Sequence, residues 1–341
     1  MSQSFCPIFI VGASRSGTTM MNRILGRHPA VVALNELHFF GDLYDPMDSA
    51  ERWTRETAIV YAASLVARIN HGIWNDEPQT ADKHVATQII DESKDDTWCP
   101  SDVYERVLER QVERGNGKFV TDQTPRNIYY AEKLLERYKN AVVVHMIRDP
   151  RAVVYSQRRR WRKPLVGNKG MPVIEVIRSL FNYHPWTMAY LWKKAIRLDC
   201  QLQGHPRYIS VVFEELVAKP ERVISMICQL IGMDFRQDLL NVKQIGSSHK
   251  RDCSEKRGIS SRTKDAWRSG LPKGDLMLVE HITASMLNRY GFKRVGIRRN
   301  ILQVLPALLL FPLHIFGIAL TNPARGWIHL KALTNLSRFK F

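Results

Sequence analysis

Three places in the sequence put residues that handle anions or protons at usable spacings. The first is Gly12-Ala13-Ser14-Arg15-Ser16-Gly17-Thr18-Thr19. An unbroken apolar run, Ile8–Val11, precedes it. Thr18–Arg27 follows, with Met21, Ile24 and Leu25 on one helical face and Gly26 near a stop. Strand, glycine-bounded loop and helix make an anion cradle, because backbone N–H groups and the positive end of the helix dipole converge on one point. The spacing fits G-x-x-x-x-G, but a triphosphate-binding loop carries Lys next. Here that position is Thr18, and the cation sits inside the loop as Arg15. Such a loop holds an oxyanion and lacks the usual tool for a triphosphate with magnesium. An ordinary tight turn between strand and helix is the competing reading.

The second place is Arg148-Asp149-Pro150, directly after the apolar run Ala141–Ile147. Asp149 suits a helix N-cap and Pro150 the first turn. Ser156 then falls about 10 Å along the helix axis. A long arginine and a helical serine can clamp one more phosphate. The third place is Glu36, at the end of a short apolar stretch, Pro29–Leu37, read as a strand. A glutamate there can take a proton from an attacking hydroxyl; a surface glutamate beside a turn is the alternative. His38 and His28 are the next candidates for the base. Polar residues end one further strand, Lys118–Thr121, in Asp122-Gln123-Thr124-Pro125-Arg126-Asn127. His145 lies within an apolar strand and reads as a core histidine.

The elements that must carry these residues follow from the pattern. Apolar runs alternating with helical periodicity predict an α/β protein with a central parallel sheet flanked by helices, in which ligands meet the carboxyl ends of the strands. Residues 41–116 read as a largely helical insertion, with helices over Thr54–Asn70 and Asp102–Arg114. Gly72–Pro100 between them is polar and poor in periodicity, either a cover over the site that selects an acceptor or a plain surface excursion. Pro125 starts a helix running through Tyr138. Tyr183–Cys200 is a helix whose Trp186, Tyr190 and Trp192 read mainly as core. A strand over Arg207–Phe213 and a helix over Val223–Ile231 follow, and Gly274–Tyr290 closes the fold.

Together these residues resemble the PAPS-dependent sulfotransferases, closest in pattern to tyrosylprotein-type and bacterial members, over roughly Pro7–Phe292. The resemblance implies a P-loop-type fold and transfer of a sulfuryl group from 3′-phosphoadenosine 5′-phosphosulfate (PAPS) to a hydroxyl on a glycan, lipid, small metabolite or tyrosine, with PAP as product and no metal. It implies that Ser14, Arg15, Ser16, Gly17, Thr18 and Thr19 hold the 5′-phosphosulfate, Arg148 and Ser156 the 3′-phosphate, and that Glu36 is the base. Val212–Val217 with Pro220-Glu221 is similar to the segment after the second nucleotide motif. Ser260–Arg268, including Lys264 and Trp267, resembles the lid over the nucleotide. One departure is Gln123, where many relatives carry a Lys that steadies the departing oxygen; Gln123 keeps a donor and loses the charge. The lid also lacks a Lys directly before Trp267.

Composition sets the remaining bounds. The chain of 341 residues carries a net charge of +17 and 45% hydrophobic residues, enough for a large core and biased toward anionic partners. Cys6, Cys99, Cys200, Cys228 and Cys253 form no C-x-x-C pair and fit reduced thiols in a cytoplasmic protein. The apolar run begins so early that no cleaved leader is expected. Arg158–Lys163 is a basic run, read as a solvated helix end or as a contact for an acidic acceptor or lipid headgroups. The domain reading is 1–296 for the catalytic domain and 297–341 for an apolar, basic tail. Ile301–Leu320 has no charged residue, but Pro306, Pro312 and Gly317 interrupt it. Arg294, Arg298 and Arg299 precede it, and Arg325, Lys331, Arg338 and Lys340 follow. Spanning length with basic flanks on both sides predicts a kinked monotopic or re-entrant anchor, on the cytoplasmic face of an anionic membrane; a helix packed on the domain is the alternative. Rival functions are a nucleotide kinase or NTPase, a non-catalytic basic protein that binds nucleotide or membrane, and a family member that has lost activity. No nucleic-acid motif is present.

Overall fold

Strand β1 (Cys6–Gly12) is the middle of the sheet, and its six residues from Pro7 to Gly12 are buried. The computed structural model describes residues 5–45, 51–73, 77–92, 97–160, 173–243, 257–260, 264–296 and 300–321. After β1 come α1 (Thr18–Leu25), β2 (Val31–Ala33), β3 (Trp53–Thr54), α2 (Arg55–His71), α3 (Thr80–Asp91), β4 (Thr97–Trp98) and α4 (Pro100–Arg114). Next are β5 (Phe119–Asp122), a 3₁₀ segment Pro125–Tyr130, α5 (Ala131–Arg137), β6 (Val142–Ile147), α6 (Pro150–Arg158), α7 (Val173–Phe181) and α8 (Pro185–Leu202). The described chain ends with β7 (Tyr208–Val212), α9 (Phe213–Ala218), α10 (Pro220–Ile231), α11 (Trp267–Gly270), α12 (Lys273–Leu287) and α13 (Leu305–Thr321).

The chain divides into two compact units. The first comprises residues 1–147, 197–243 and 257–259; the second comprises 148–196, 244–256 and 260–341. In the first, five parallel strands run in the order β2-β5-β1-β6-β7. Both faces of β1 are covered, which is why its sequence is an unbroken apolar run. Ile8 and Ile10 pack with Met21, Ile24, Val142, Val144, Ile224 and Ile227. Phe9, on the other face, lies 6.4 Å from the Tyr104 ring and 5.9 Å from that of Tyr138. His145 is a core histidine: its Nδ1 lies 2.7 Å from the Tyr208 hydroxyl and 3.1 Å from Asp199 Oδ1, and Asp199 also accepts from Ser210.

Three sequence expectations are corrected here. Gly72–Pro100 holds helix α3, whose periodicity is masked because a buried Asp82 occupies its inner face beside Ala86, Ile89 and Ile90. Asp82 caps the start of α3 through the Gln79 amide and also accepts from Asn70 and lies 3.0 Å from His71, which ties α3 to α2. The strand read over Pro29–Leu37 pairs only over Val31–Ala33. The strand read to Phe213 stops at Val212, and Phe213 opens α9. Other boundaries shift by a few residues: α2 starts after the N-cap Thr54, and α4 starts at Pro100.

The second unit is helical in its described residues. Ala152 and Val154 of α6 pack with Ala189, Trp267, Leu271, Leu276 and Val279. Inside it, Arg151 donates to both Asp149 oxygens and, at 2.6 Å, to Glu280. A buried arginine matched to two carboxylates avoids the cost of an unpaired charge. In α8, Trp192 is buried, while Trp186 and Tyr190 stack on each other at 5.2 Å and stay partly exposed, so only part of that aromatic group is core.

Candidate active site

In the first unit, the loop after β1, the segment after β2 and the segment after β5 all leave the same edge of the sheet, the carboxyl ends of parallel strands, where open α/β sheets bind ligands. The β1 loop turns through Arg15 at φ 75° and Gly17 at φ 103°. Gly17 is required twice over. Its φ favours glycine, and a Cβ there would lie 2.6 Å from the Phe213 ring. The loop closes on a bond from the Ser16 amide to Ala13 O, and α1 begins with Met21 N donating to Gly17 O. The first amides of α1 point out of the helix start with no intrahelical acceptor. Ser16 is fully buried, and its hydroxyl has no hydrogen-bond partner among the described residues. A cradle of amides with one orphaned hydroxyl fits an oxyanion.

Beside this cradle, α1, β2 and β5 bring three predicted residues together. Gln123 is 2% exposed, and its Nε2 donates to Thr18 Oγ1 at 3.3 Å and to Glu36 Oε1 at 3.4 Å. His38 Nε2 lies 2.8 Å from the other Glu36 oxygen. His38 Nδ1 is buried with no hydrogen-bond partner among the described residues, and because a carboxylate only accepts, it is Nε2 that donates to Glu36. The Glu36 side chain is 40% exposed, open enough to reach a substrate.

What holds Glu36 in place is a network on the next two residues. Thr124 Oγ1 accepts from the amides of Leu37 and His38 at 3.0 and 3.1 Å, and donates to Asp122 at 2.6 Å. Asp122 also accepts from Tyr104 and Asn127. Burial pushes the Asp122 carboxyl up, and the bonds from Thr124 and Tyr104 pull it partly back. From the other side, buried Arg68 donates to the carbonyls of Leu37 and His38 at 2.7 and 3.2 Å. His38 adopts φ 49°, a left-handed conformation that a non-glycine residue keeps only when its surroundings impose it. Arg68, Thr124 and Asp122 impose it here.

In the second unit, Arg148 directly follows β6 and is 6% exposed, with its carbonyl accepting from Trp192 Nε1 at 2.8 Å. Ser156 is buried on α6. Asp149 caps α6 as expected, accepting from the Arg151 amide at 2.9 Å. Lys264 is exposed. Trp267 is 2% exposed, and its ring carries the Arg151 guanidinium at 4.2 Å and that of Arg268 at 4.7 Å. Ser261, Arg262 and Thr263 of the lid segment lie outside the described residues, as do Trp161–Lys163 of the basic run, Cys253, and Arg298, Arg299, Arg325, Lys331, Arg338 and Lys340 beside the tail helix. His28 is far from this role in character: burial, then Arg236, lowers its basicity, and its Nδ1 accepts from the Ala30 amide.

Arg68 and Tyr104 carry no mark in the sequence. A long basic residue inside a helix usually ends at the surface, and a tyrosine in an amphipathic helix reads as packing. Asp122 and Thr124 were visible as polar residues at a strand end; that they grip the chain beside Glu36 was not.

Three comparisons bear on these residues. The sequence pattern described as "Sulfotransferase family" matches residues 7–237. The nodulation protein NoeE of Sinorhizobium fredii is 22% identical over 314 residues, 86% of this chain and 68% of that protein. Protein-tyrosine sulfotransferase 2 of Gallus gallus is 23% identical over 299 residues, 84% of this chain and 69% of that one. Among solved structures, the sulfotransferase domain from the Synechococcus PCC 7002 olefin synthase shares the fold, at a TM-score of 0.50 and 21% identity, covering 84% of this chain and 95% of that chain.

Proposed function

We infer the reaction from one premise: the chain belongs to the sulfotransferase family. It transfers a sulfuryl group from PAPS to a hydroxyl acceptor. PAPS supplies an activated sulfuryl group and departs as PAP. The residues present fit such an anion: the amides at the start of α1 and the buried Ser16 hydroxyl form the cradle after β1, and Arg15 gives the same loop a cation. Ser14, Thr18 and Thr19 complete the loop. Arg148 and Ser156 are assigned to the 3′-phosphate, the feature that distinguishes PAPS from ATP. Lys264 is assigned to the nucleotide, with Trp267 held by Arg151 as the fixed base of its segment.

Glu36 takes the acceptor's proton as the hydroxyl oxygen bonds to sulfur and the bond from sulfur to the bridging oxygen breaks. Gln123 donates toward the same position, and charge developing on the departing oxygen is met by Arg15 and the loop amides. By analogy with phosphoryl transfer, positioning and charge stabilisation carry most of the rate. The observation that carries this reading is Gln123 bridging Thr18 of the anion loop to Glu36. We also propose a cytoplasmic protein held peripherally on an anionic membrane by α13. The free thiols of Cys6, Cys99, Cys200 and Cys228 support the compartment.

The test uses Glu36→Gln. PAP should raise the melting temperature of wild type and variant alike, ATP with magnesium should raise neither, and transfer of labelled sulfate from PAPS should fall about 10²- to 10⁴-fold in the variant. Unchanged transfer would remove Glu36 as the base, and stabilisation by ATP in place of PAP would remove the donor assignment.

A further inference from the structure

Helix α13 has its polarity inside out. Its polar side chains are His314 and Thr321. His314 is buried and lies 3.0 Å from Thr187 Oγ1, with its ring 5.0 Å from that of His184. The half-buried Thr321 offers its carbonyl to Arg178 Nε at 2.7 Å. Val304, Ala307, Phe311, His314, Gly317 and Thr321 share the sheltered stripe, at spacings of three and four. The remaining face presents Leu305, Leu309, Leu313, Phe316 and Leu320, between 45% and 67% exposed, with no polar side chain among them. A surface helix in water has the opposite arrangement.

The sheltered stripe rests on α7 and the start of α8. Arg178 meets Thr321, Phe181 meets Gly317, and His184 meets Phe311 and, through its Nε2, the Ala307 carbonyl. Positions rising along α7 meet positions falling along α13, so the two helices are antiparallel. Gly317 permits the approach: a Cβ there would lie 1.9 Å from the Phe181 ring. Helix α7 is exposed beside this seam as well, through Ile177 at 38%, Leu180 at 46% and Phe181 at 37%. The apolar surface therefore belongs to two helices.

We propose that α7 and α13 form one two-helix surface that lies flat on an anionic bilayer; this rests on the membrane reading above and adds α7 and the orientation to it. Lipid is favoured as the occupant because residues 301–320 carry no charge while basic residues stand on both sides. A flat orientation follows from two facts. One face of α13 is committed to protein by polar contacts, so lipid cannot surround the helix. Pro312, on the exposed face, has no amide hydrogen to give the Leu308 carbonyl, a group that headgroup water satisfies and lipid tails do not.

The full-length protein is sedimented with vesicles of phosphatidylcholine and phosphatidylserine. Wild type should pellet with them, and less so at high salt. Ile177→Asp with Leu180→Asp should lower the bound fraction at least about tenfold, as should Leu309→Asp with Leu313→Asp. Ile177→Ser with Leu180→Ser is the milder pair, and the shift of melting temperature by PAP reports that each variant is folded. Vesicle binding untouched by the α7 pair but lost with the α13 pair would overturn the two-helix surface and leave a tail anchor. Wild type that stays in the supernatant would overturn the membrane reading itself, and a dimer in that case names a second copy as the occupant. Protein retained by membranes through alkaline carbonate extraction would overturn the flat orientation. None of these outcomes touches the sulfotransferase reading, which the PAP shift reports separately.

Discussion

Glu36 depends less on its own position than on the pair of residues after it. Its carboxylate is held between Gln123 and His38, and His38 is held in a left-handed conformation by groups from α2 and the segment after β5. Gln123 is the residue where this chain parts from the pattern it resembles, and its geometry gives the departure a measurable consequence. A lysine there would bring a cation to a carboxylate that position 123 now meets with a neutral amide. A nearby positive charge favours the ionised form of an acid. Gln123→Lys should therefore move the acidic limb of the kcat/KM profile to lower pH, because the base stays deprotonated further into acid. A profile with an unmoved acidic limb would show that the side chain at 123 does not reach the base during turnover. The sequence identified Glu36, Gln123 and Thr18 separately, from strand ends and a loop pattern. It held no sign that one amide would bridge the other two, because that bond joins residues far apart in the chain.

At the scale of elements, the β1–loop–α1 unit was readable almost to the residue. Both ends are marked by local chemistry: a strand buried on two faces must be apolar throughout, and a left-handed turn selects glycine. Gly17→Ala tests that unit. With φ at 103° and the new Cβ 2.6 Å from the Phe213 ring, the turn must distort, at a cost of about 1–3 kcal/mol. The expected result is a lowered melting temperature together with loss of the PAP shift; a variant that keeps the full shift would show that the cradle does not need this turn. Helix α3 shows where local patterning fails. Its inner face is part carboxylate, and Asp82 at the cap between α3 and α2 breaks the apolar periodicity that would have announced the helix. The stretch after Ala33 fails differently. It is apolar enough for a strand, and Leu34 still donates to the Thr121 carbonyl as well as to its side chain, but Leu37 and His38 donate to the Thr124 side chain. Side chains of the β5 segment take over from the ladder, and that change frees Glu36 from the pleat.

For the molecule as a whole, stability has a pH dependence that can be traced to the join of β6, β7 and α8. Burial alone would raise the Asp199 carboxyl, but bonds from His145, Ser210 and Tyr208 outweigh it and hold the group well below the usual carboxylate range. A carboxyl depressed on folding adds stability above its unfolded value of about 3.9, and that stability is lost as the pH falls through the folded value. Asp199→Asn should thus lower the melting temperature at neutral pH, with the gap to wild type closing below about pH 4. A gap of constant size would assign the loss to packing instead. By itself the sequence determined the sheet, the anion loop, the cap at Asp149 and the apolar tail, since each is written in neighbouring residues by period, turn chemistry or composition. Tertiary structure alone decided that Gln123 spans Thr18 and Glu36, that His38 and Arg68 serve the base, and that α13 turns its polar residues inward against α7 and the start of α8. Those depend on which distant side chains share a desolvated contact, and a linear pattern carries no record of such encounters.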